Sequence, residues 1–256
     1  MKPVLASTLH DPQNRLESLI NEQTPKLEEL FHEKIVTLTS STSRETLEIL
    51  KKLGYEASYG DESVASTYVI ALRRATEKKV ETIFYCDFDR LLHWASHYPE
   101  ELEAATQEST HDFTLFGRTK RAMLTHPETQ ILTETTANIL ASKILGFRKT
   151  RDVLGTTWML KAHQAEALIG AKISNQYGFY LDWPIQSWIN STNPGYIEVE
   201  GLEWETPDRY QQEITQAGYD AWKENYQNVQ EWRKRNLMLR DMMEATATHI
   251  QIKKST

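Results

Sequence analysis

Apolar and polar positions along this chain follow two periods in turn. Short apolar runs rich in β-branched and aromatic residues occur at 3–9, at 34–39 (Lys-Ile-Val-Thr-Leu-Thr) and at 80–86 (Val-Glu-Thr-Ile-Phe-Tyr-Cys). Runs of this length read as buried strands. Between them the spacing becomes helical: Leu16, Leu19, Ile20, Leu27 and Leu30 share one face over 14–31, where Pro25 is expected to break or restart the helix. A second helix covers 44–53 and closes at Gly54, residues 55–58 suggest another strand, and a third helix runs over 61–79. Strands alternating with helices predict an α/β fold with a mostly parallel sheet and right-handed crossovers.

The second half continues the alternation with less regularity. A short strand at 112–116 ends at Gly117-Arg118, and a long helix is predicted over 125–145, stopped by Gly146. Residues 152–161 are strand-like but interrupted by Gly155; a helix over 162–174, an aromatic block at 177–188 and a last strand at 196–202 follow. Thr206-Pro207 gives an N-cap and a first-turn proline to one long helix reaching about residue 247. Its apolar face carries Tyr210, Ile214, Ala221, Trp222, Val229 and Trp232. Such a helix is marginal alone in water, so it is expected to pack on the sheet domain or on a second subunit, as in a homo-oligomer. The spacing divides the chain into a sheet domain, 1–205, and a C-terminal helical appendage, 206–256.

Composition narrows the function classes. The 256 residues carry a net charge of −7, and no basic patch suggests a nucleic-acid partner. Cys86 is the single cysteine, which excludes an internal disulfide and fits a reducing compartment. No run of about 18 apolar residues indicates a transmembrane segment. No signal-like apolar segment opens the chain, and the expected location is cytoplasmic.

The candidate chemistry sits behind the third strong strand. Asp87 and Asp89 follow the 80–86 run at i and i+2, a spacing that puts both carboxylates on one side of an extended chain. Two anions this close repel unless a cation or strong donors stand between them. Hard oxygen ligands of this kind suit Mg2+ or Mn2+. The plain alternative is a strand-ending turn whose aspartates cap the next helix. The hydroxyl run Ser40 to Ser43 suits either an N-cap or a polar ligand.

Three blocks in order resemble family 2 glycosyltransferases of GT-A fold, with the dolichyl-phosphate mannosyltransferase-like branch nearest. Asp87-Phe-Asp89 with Pro99-Glu100-Glu101-Leu102 resembles the Asp-x-Asp motif and its downstream Pro-Glu. Residues 152–161 resemble the acceptor-side Asp-x-x-x-Gly segment. Tyr177-Gly-Phe-Tyr-Leu-Asp182, with Gly195-Tyr-Ile-Glu-Val199, resembles the Tyr-Gly-Phe-x-x-Glu block and the strand after it. The resemblance spans residues 3–205 and implies a metal-dependent, inverting transfer of a sugar from a nucleotide-diphosphate donor to an acceptor it does not identify. It implies Asp87 and Asp89 as anchors for Mg2+ or Mn2+, Thr39, Ser40 and Asp87 at the donor, and Asp182, with Asp152 second, as the carboxylate base. Departures are His10-Asp11-Pro12 in place of Pro-x-x-Asn, Thr39-Ser40-Ser41-Thr42 in place of an acidic pair, and Arg90 directly after the motif.

Two other readings stand beside it. One is a protein that keeps the sheet and binds nucleotide-sugars without turnover. The other is a haloacid-dehalogenase-type phosphatase, whose first motif also ends a strand in Asp-x-Asp but opens its domain. Trp158, Trp183 and Trp188 are expected in the core rather than on a sugar face. His93, His97 and His163 read as helix or surface histidines, with no further ligand at a metal-site spacing.

Overall fold

The apolar runs pair into a sheet of seven strands in the computed structural model, which describes residues 2–253 apart from 62, 109 and 172–175. The strands are β1 (Val4–Leu9), β2 (Lys34–Leu38), β3 (Glu56–Tyr59), β4 (Thr82–Cys86), β5 (Phe113–Arg118), β6 (Thr157–Lys161) and β7 (Pro194–Val199), in the order β3-β2-β1-β4-β6-β5-β7. All neighbours run parallel except β6, which is antiparallel to both β4 and β5. The phosphatase reading needs the Asp-x-Asp motif on the strand that opens the domain; here it follows the fourth.

Helices cover both faces. In the first half these are α1 (Glu17–Leu30), α2 (Arg44–Lys52), α3 (Val64–Thr76), α4 (Phe88–His97) and α5 (Pro99–Thr106). Later come α6 (Lys120–Thr125), α7 (Glu128–Leu145), α8 (Ala162–Gly170), α9 (Phe179–Asn190), α10 (Gln211–Ala217), α11 (Tyr219–Lys223) and α12 (Val229–Lys253). Alternate residues of a strand face opposite ways. Phe84 therefore joins Leu27, Phe88 and Trp94 under α1 and α4, while Ile83 and Tyr85 join Tyr68, Trp158 and Trp183 under α3 and α9. Because both faces are covered, every residue of β1 is buried. Trp158 and Trp183 sit in the core, as expected from their type.

Several sequence expectations change, and one falls outside the described residues. Pro25 does not break α1, which runs through it; the preceding Thr24 hydroxyl donates to the carbonyl of Ile20 at 2.7 Å. The helix expected over 125–145 starts three residues late, as α7 at Glu128 with Pro127 in the N-cap position, because Pro127 has no N–H with which to extend the separate short α6 that ends at Thr125; Gly146 ends α7 as expected. The expected end at Ser174 of the following helix lies outside the described residues; α8 is seen to Gly170. The long helix from 206 is broken into a 3-10 turn (Thr206–Arg209), α10, α11, a second 3-10 turn (Glu224–Tyr226) and α12. Gly218, at φ 82° and ψ 146°, ends α10 in a conformation reserved for glycine. Its expected apolar face also changes: Trp222 is buried, Val229 is 61% exposed, and Met242 and Ala245 are the residues of α12 that enter the core.

Candidate active site

The chain runs from β1 outward to β2 and β3, then returns to the other side of β1 as β4. That reversal opens a crevice beyond the carboxyl ends of β1 and β4, the place where open α/β sheets bind ligands. Asp87 is the first residue beyond β4. Its Oδ1 accepts hydrogen bonds from Tyr68 (2.7 Å), Thr8 (3.1 Å) and Tyr85 (3.2 Å). Although Asp87 precedes α4, its side chain makes no capping bond, so it is not held there as a helix cap. Among the described residues no donor reaches Oδ2. Burial pushes the Asp87 carboxyl up to about 6, against the pull of Arg90 and with the push of Asp89.

Asp89 lies in the first turn of α4, where its Oδ1 accepts the amide of Arg90 at 2.9 Å. Its Oδ2 is taken by Arg209, from the turn after β7, at 2.6 Å; Arg209 also donates to the carbonyl of His10 at 2.7 Å. A cation does stand against this carboxylate, as its charge requires, and it is a guanidinium 120 residues along the chain.

Two cavities meet at Asp87. A cleft of about 360 Å³ is lined by His10, Thr39, Tyr68, Asp87, Asp89 and Lys234. A hollow of about 150 Å³ is lined by Asp87, Arg90, Thr156, Tyr180, Glu205 and Arg235. Arg235 and Met238 of α12 border both, so the C-terminal helix forms a wall of the site. Thr39 lines the cleft and is tied to His10 Nδ1 at 2.9 Å; Ser40 is exposed and outside the lining.

The two carboxylates implied as base are both engaged. Asp152 meets the Arg118 guanidinium through Nε (2.7 Å) and Nη2 (3.0 Å), and accepts from Asn138 at 2.8 Å and from the amide of Arg118 at 2.9 Å. Burial alone would raise the Asp152 carboxyl, but the Arg118 charge and these donors hold it below its usual range. Asp182 lies on α9, bonded to Gln186 (2.7 Å) and to His249 of α12 (2.6 Å), and lines neither cavity. Glu205 does line the hollow, together with Asp87 and Glu134. Among the described residues no hydrogen bond reaches the buried Oε2 of Glu205, and Arg90 Nε stands 3.8 Å away. Glu205, Arg209 and Arg235 escaped the sequence reading because each reaches the site across more than 100 residues of chain; none carries a local motif.

A hard divalent ion fits Asp87. Among the described residues one carboxylate oxygen has no donor, while hydroxyl donors from Tyr68, Thr8 and Tyr85 hold the other. Asp89 can join such an ion once Arg209 leaves it.

No protein-family model matches the chain, and no curated protein matches it. Solved structures do. Glucosyl-3-phosphoglycerate synthase from Mycobacterium tuberculosis, in complex with Mn2+, uridine-diphosphate and phosphoglyceric acid, is 10% identical with a TM-score of 0.51, over 77% of this chain and 68% of that one. Its complex with Mn2+, uridine-diphosphate-glucose and phosphoglyceric acid gives 11%, 0.51, 77% and 69%. At this identity the likeness is one of fold: the chain has the GT-A-type sheet that its motifs led us to expect.

Proposed function

We propose that this protein is a glycosyltransferase that takes a sugar from a nucleotide-diphosphate donor, inverting and nearest the dolichyl-phosphate mannosyltransferase-like branch of family 2. The observation that carries the reading is the position of Asp87 and Asp89 at the crevice between β1 and β4, with one Asp87 oxygen open to the cleft. Asp87 and Asp89 are the residues that would hold Mn2+ or Mg2+, which when bound supplies charge to the leaving diphosphate. Thr39 and His10 form the polar wall against which the nucleoside lies. Lys234 and Arg235 bring positive charge to the phosphate side, where they replace water as counter-charge. Glu205 takes the acceptor hydroxyl's proton, since the residue lines the hollow and, among the described residues, no hydrogen bond engages its Oε2. Asp152 and Asp182, the positions the resemblance gives, then hold Arg118 and α12 in place, unless their donors release them on binding.

The test is thermal shift and calorimetry against uridine- and guanosine-diphosphate sugars, with and without Mn2+. A ligand at 100 times its dissociation constant adds about 2.7 kcal/mol of apparent stability. We expect a metal-dependent shift that Asp87→Asn removes; no shift with any donor defeats the proposal. A second reading, binding without turnover, is favoured by Arg209 on Asp89 and by the donors on Asp152 and Asp182. Nucleoside diphosphate released from a bound donor, lost in Glu205→Gln, decides between the two.

A further inference from the structure

One turn beyond Asp89, α4 carries His93 and His97 on the same side, i+4 and i+8 from the aspartate. The turn Thr206–Arg209 lies along this side: Arg209 meets Asp89, and the preceding Asp208 meets His93, with Oδ2 at 2.8 Å from Nδ1. The His93 and His97 rings stack with centroids 4.2 Å apart and planes 19° from parallel. One ligand atom from each of His93, His97 and Asp208 can be chosen so that all lie within 4.8 Å of one another.

The remaining ring nitrogens are arranged as metal-bound histidines arrange them. His97 Nδ1 bonds the carbonyl of His93 at 3.1 Å, which makes Nδ1 the donor and leaves Nε2 with the lone pair. His93 turns Nε2 toward Glu203 Oε1 at 3.3 Å, a carboxylate that Tyr98 and Arg121 hold in place. A carboxylate behind a ligating imidazole fixes its tautomer and raises its basicity. His93 is buried, Asp208 half-buried and His97 exposed, so the cluster opens to solvent on one side.

We propose that His93, His97 and Asp208 form a binding site for a transition-metal ion of the Zn2+ type, separate from the Asp87–Asp89 pair. Two imidazoles and one carboxylate with an open fourth position suit Zn2+, whereas the all-oxygen set at Asp87 suits Mn2+ or Mg2+. An ion here joins α4 to the turn Thr206–Arg209.

The experiment titrates the metal-stripped full-length chain with Zn2+ by calorimetry and with Co2+ by visible absorption. One equivalent should bind, and the Co2+ form should show the intense d–d bands of a four-coordinate complex. His97→Gln, at an exposed position that leaves the fold intact, should weaken binding by on the order of 100-fold and abolish the bands, and Glu203→Gln by at least about 10-fold. Asp87→Asn should leave the Zn2+ affinity unchanged. Absence of stoichiometric binding, wild-type affinity in His97→Gln, or a loss in Asp87→Asn equal to that in His97→Gln would each overturn the site.

Discussion

Asp87 shows at the scale of one residue what a site asks of a fold. Its carboxyl is raised to about 6 by burial, above the roughly 3.9 of an unfolded chain. The folded state therefore holds the proton more tightly than the unfolded one. Its contribution to stability is greatest below about pH 4 and is lost as pH rises through about 6, by on the order of 3 kcal/mol. Urea unfolding at pH 4.5 and 7 should show this decline in the wild type and a flatter profile in Asp87→Asn. Ligand binding should run the other way, since an ion needs the ionised form: Mn2+ affinity should fall below about pH 6. Arg118 makes a different case. It is fully buried between Asp152 and Glu134. Arg118→Met leaves buried Asp152 without a counter-charge and Glu134 with Arg235 alone, and should cost about 3–5 kcal/mol in denaturant unfolding.

Among the elements, the segment after β7 decides most. Read as one amphipathic helix, it has nothing to turn it back; broken at Gly218, it folds onto the body. Gly218→Ala meets no atom within 4 Å, so only the backbone resists it, and the cost should be about 1–3 kcal/mol by thermal unfolding. The last helix, α12, packs on α7 and α9. Arg235 donates to Gln130 at 2.7 Å and pairs with Glu134 at 3.4 Å; His249 reaches Asp182. Met242, 3% exposed, is its apolar anchor, and Met242→Ala should cost about 2–5 kcal/mol. An unchanged melting temperature in that variant would show that α12 does not depend on this contact.

Over the whole molecule, the sheet and the C-terminal helix meet at the site rather than beside it. Both cavities take one wall from the strand ends and another from α12. Removing residues 229–256 should therefore lower the melting temperature and abolish any donor-dependent shift together. Loss of the shift alone would show that the sheet folds without the helix, and retention of both would show that the helix is dispensable.

The sequence by itself determined the strands, the helix–strand alternation and the place of Asp87 and Asp89. These follow from local period and from β-prone runs that bury on both faces, and neighbours in the chain are enough to reveal them. It also foretold Trp158 and Trp183 as core residues, from size and apolarity alone. Only the tertiary structure decided that β6 runs antiparallel, because its direction depends on partners 71 to 79 residues away in β4. Only it set Arg209 on Asp89, Glu205 in the hollow and Asp208 beside His93 and His97. The i, i+4 pair of histidines on α4 was visible as a spacing, but its third member comes from a turn 111 residues after His97. Charges and ligands so far apart meet only when the chain closes on itself, because burial then forces each polar group to find a partner.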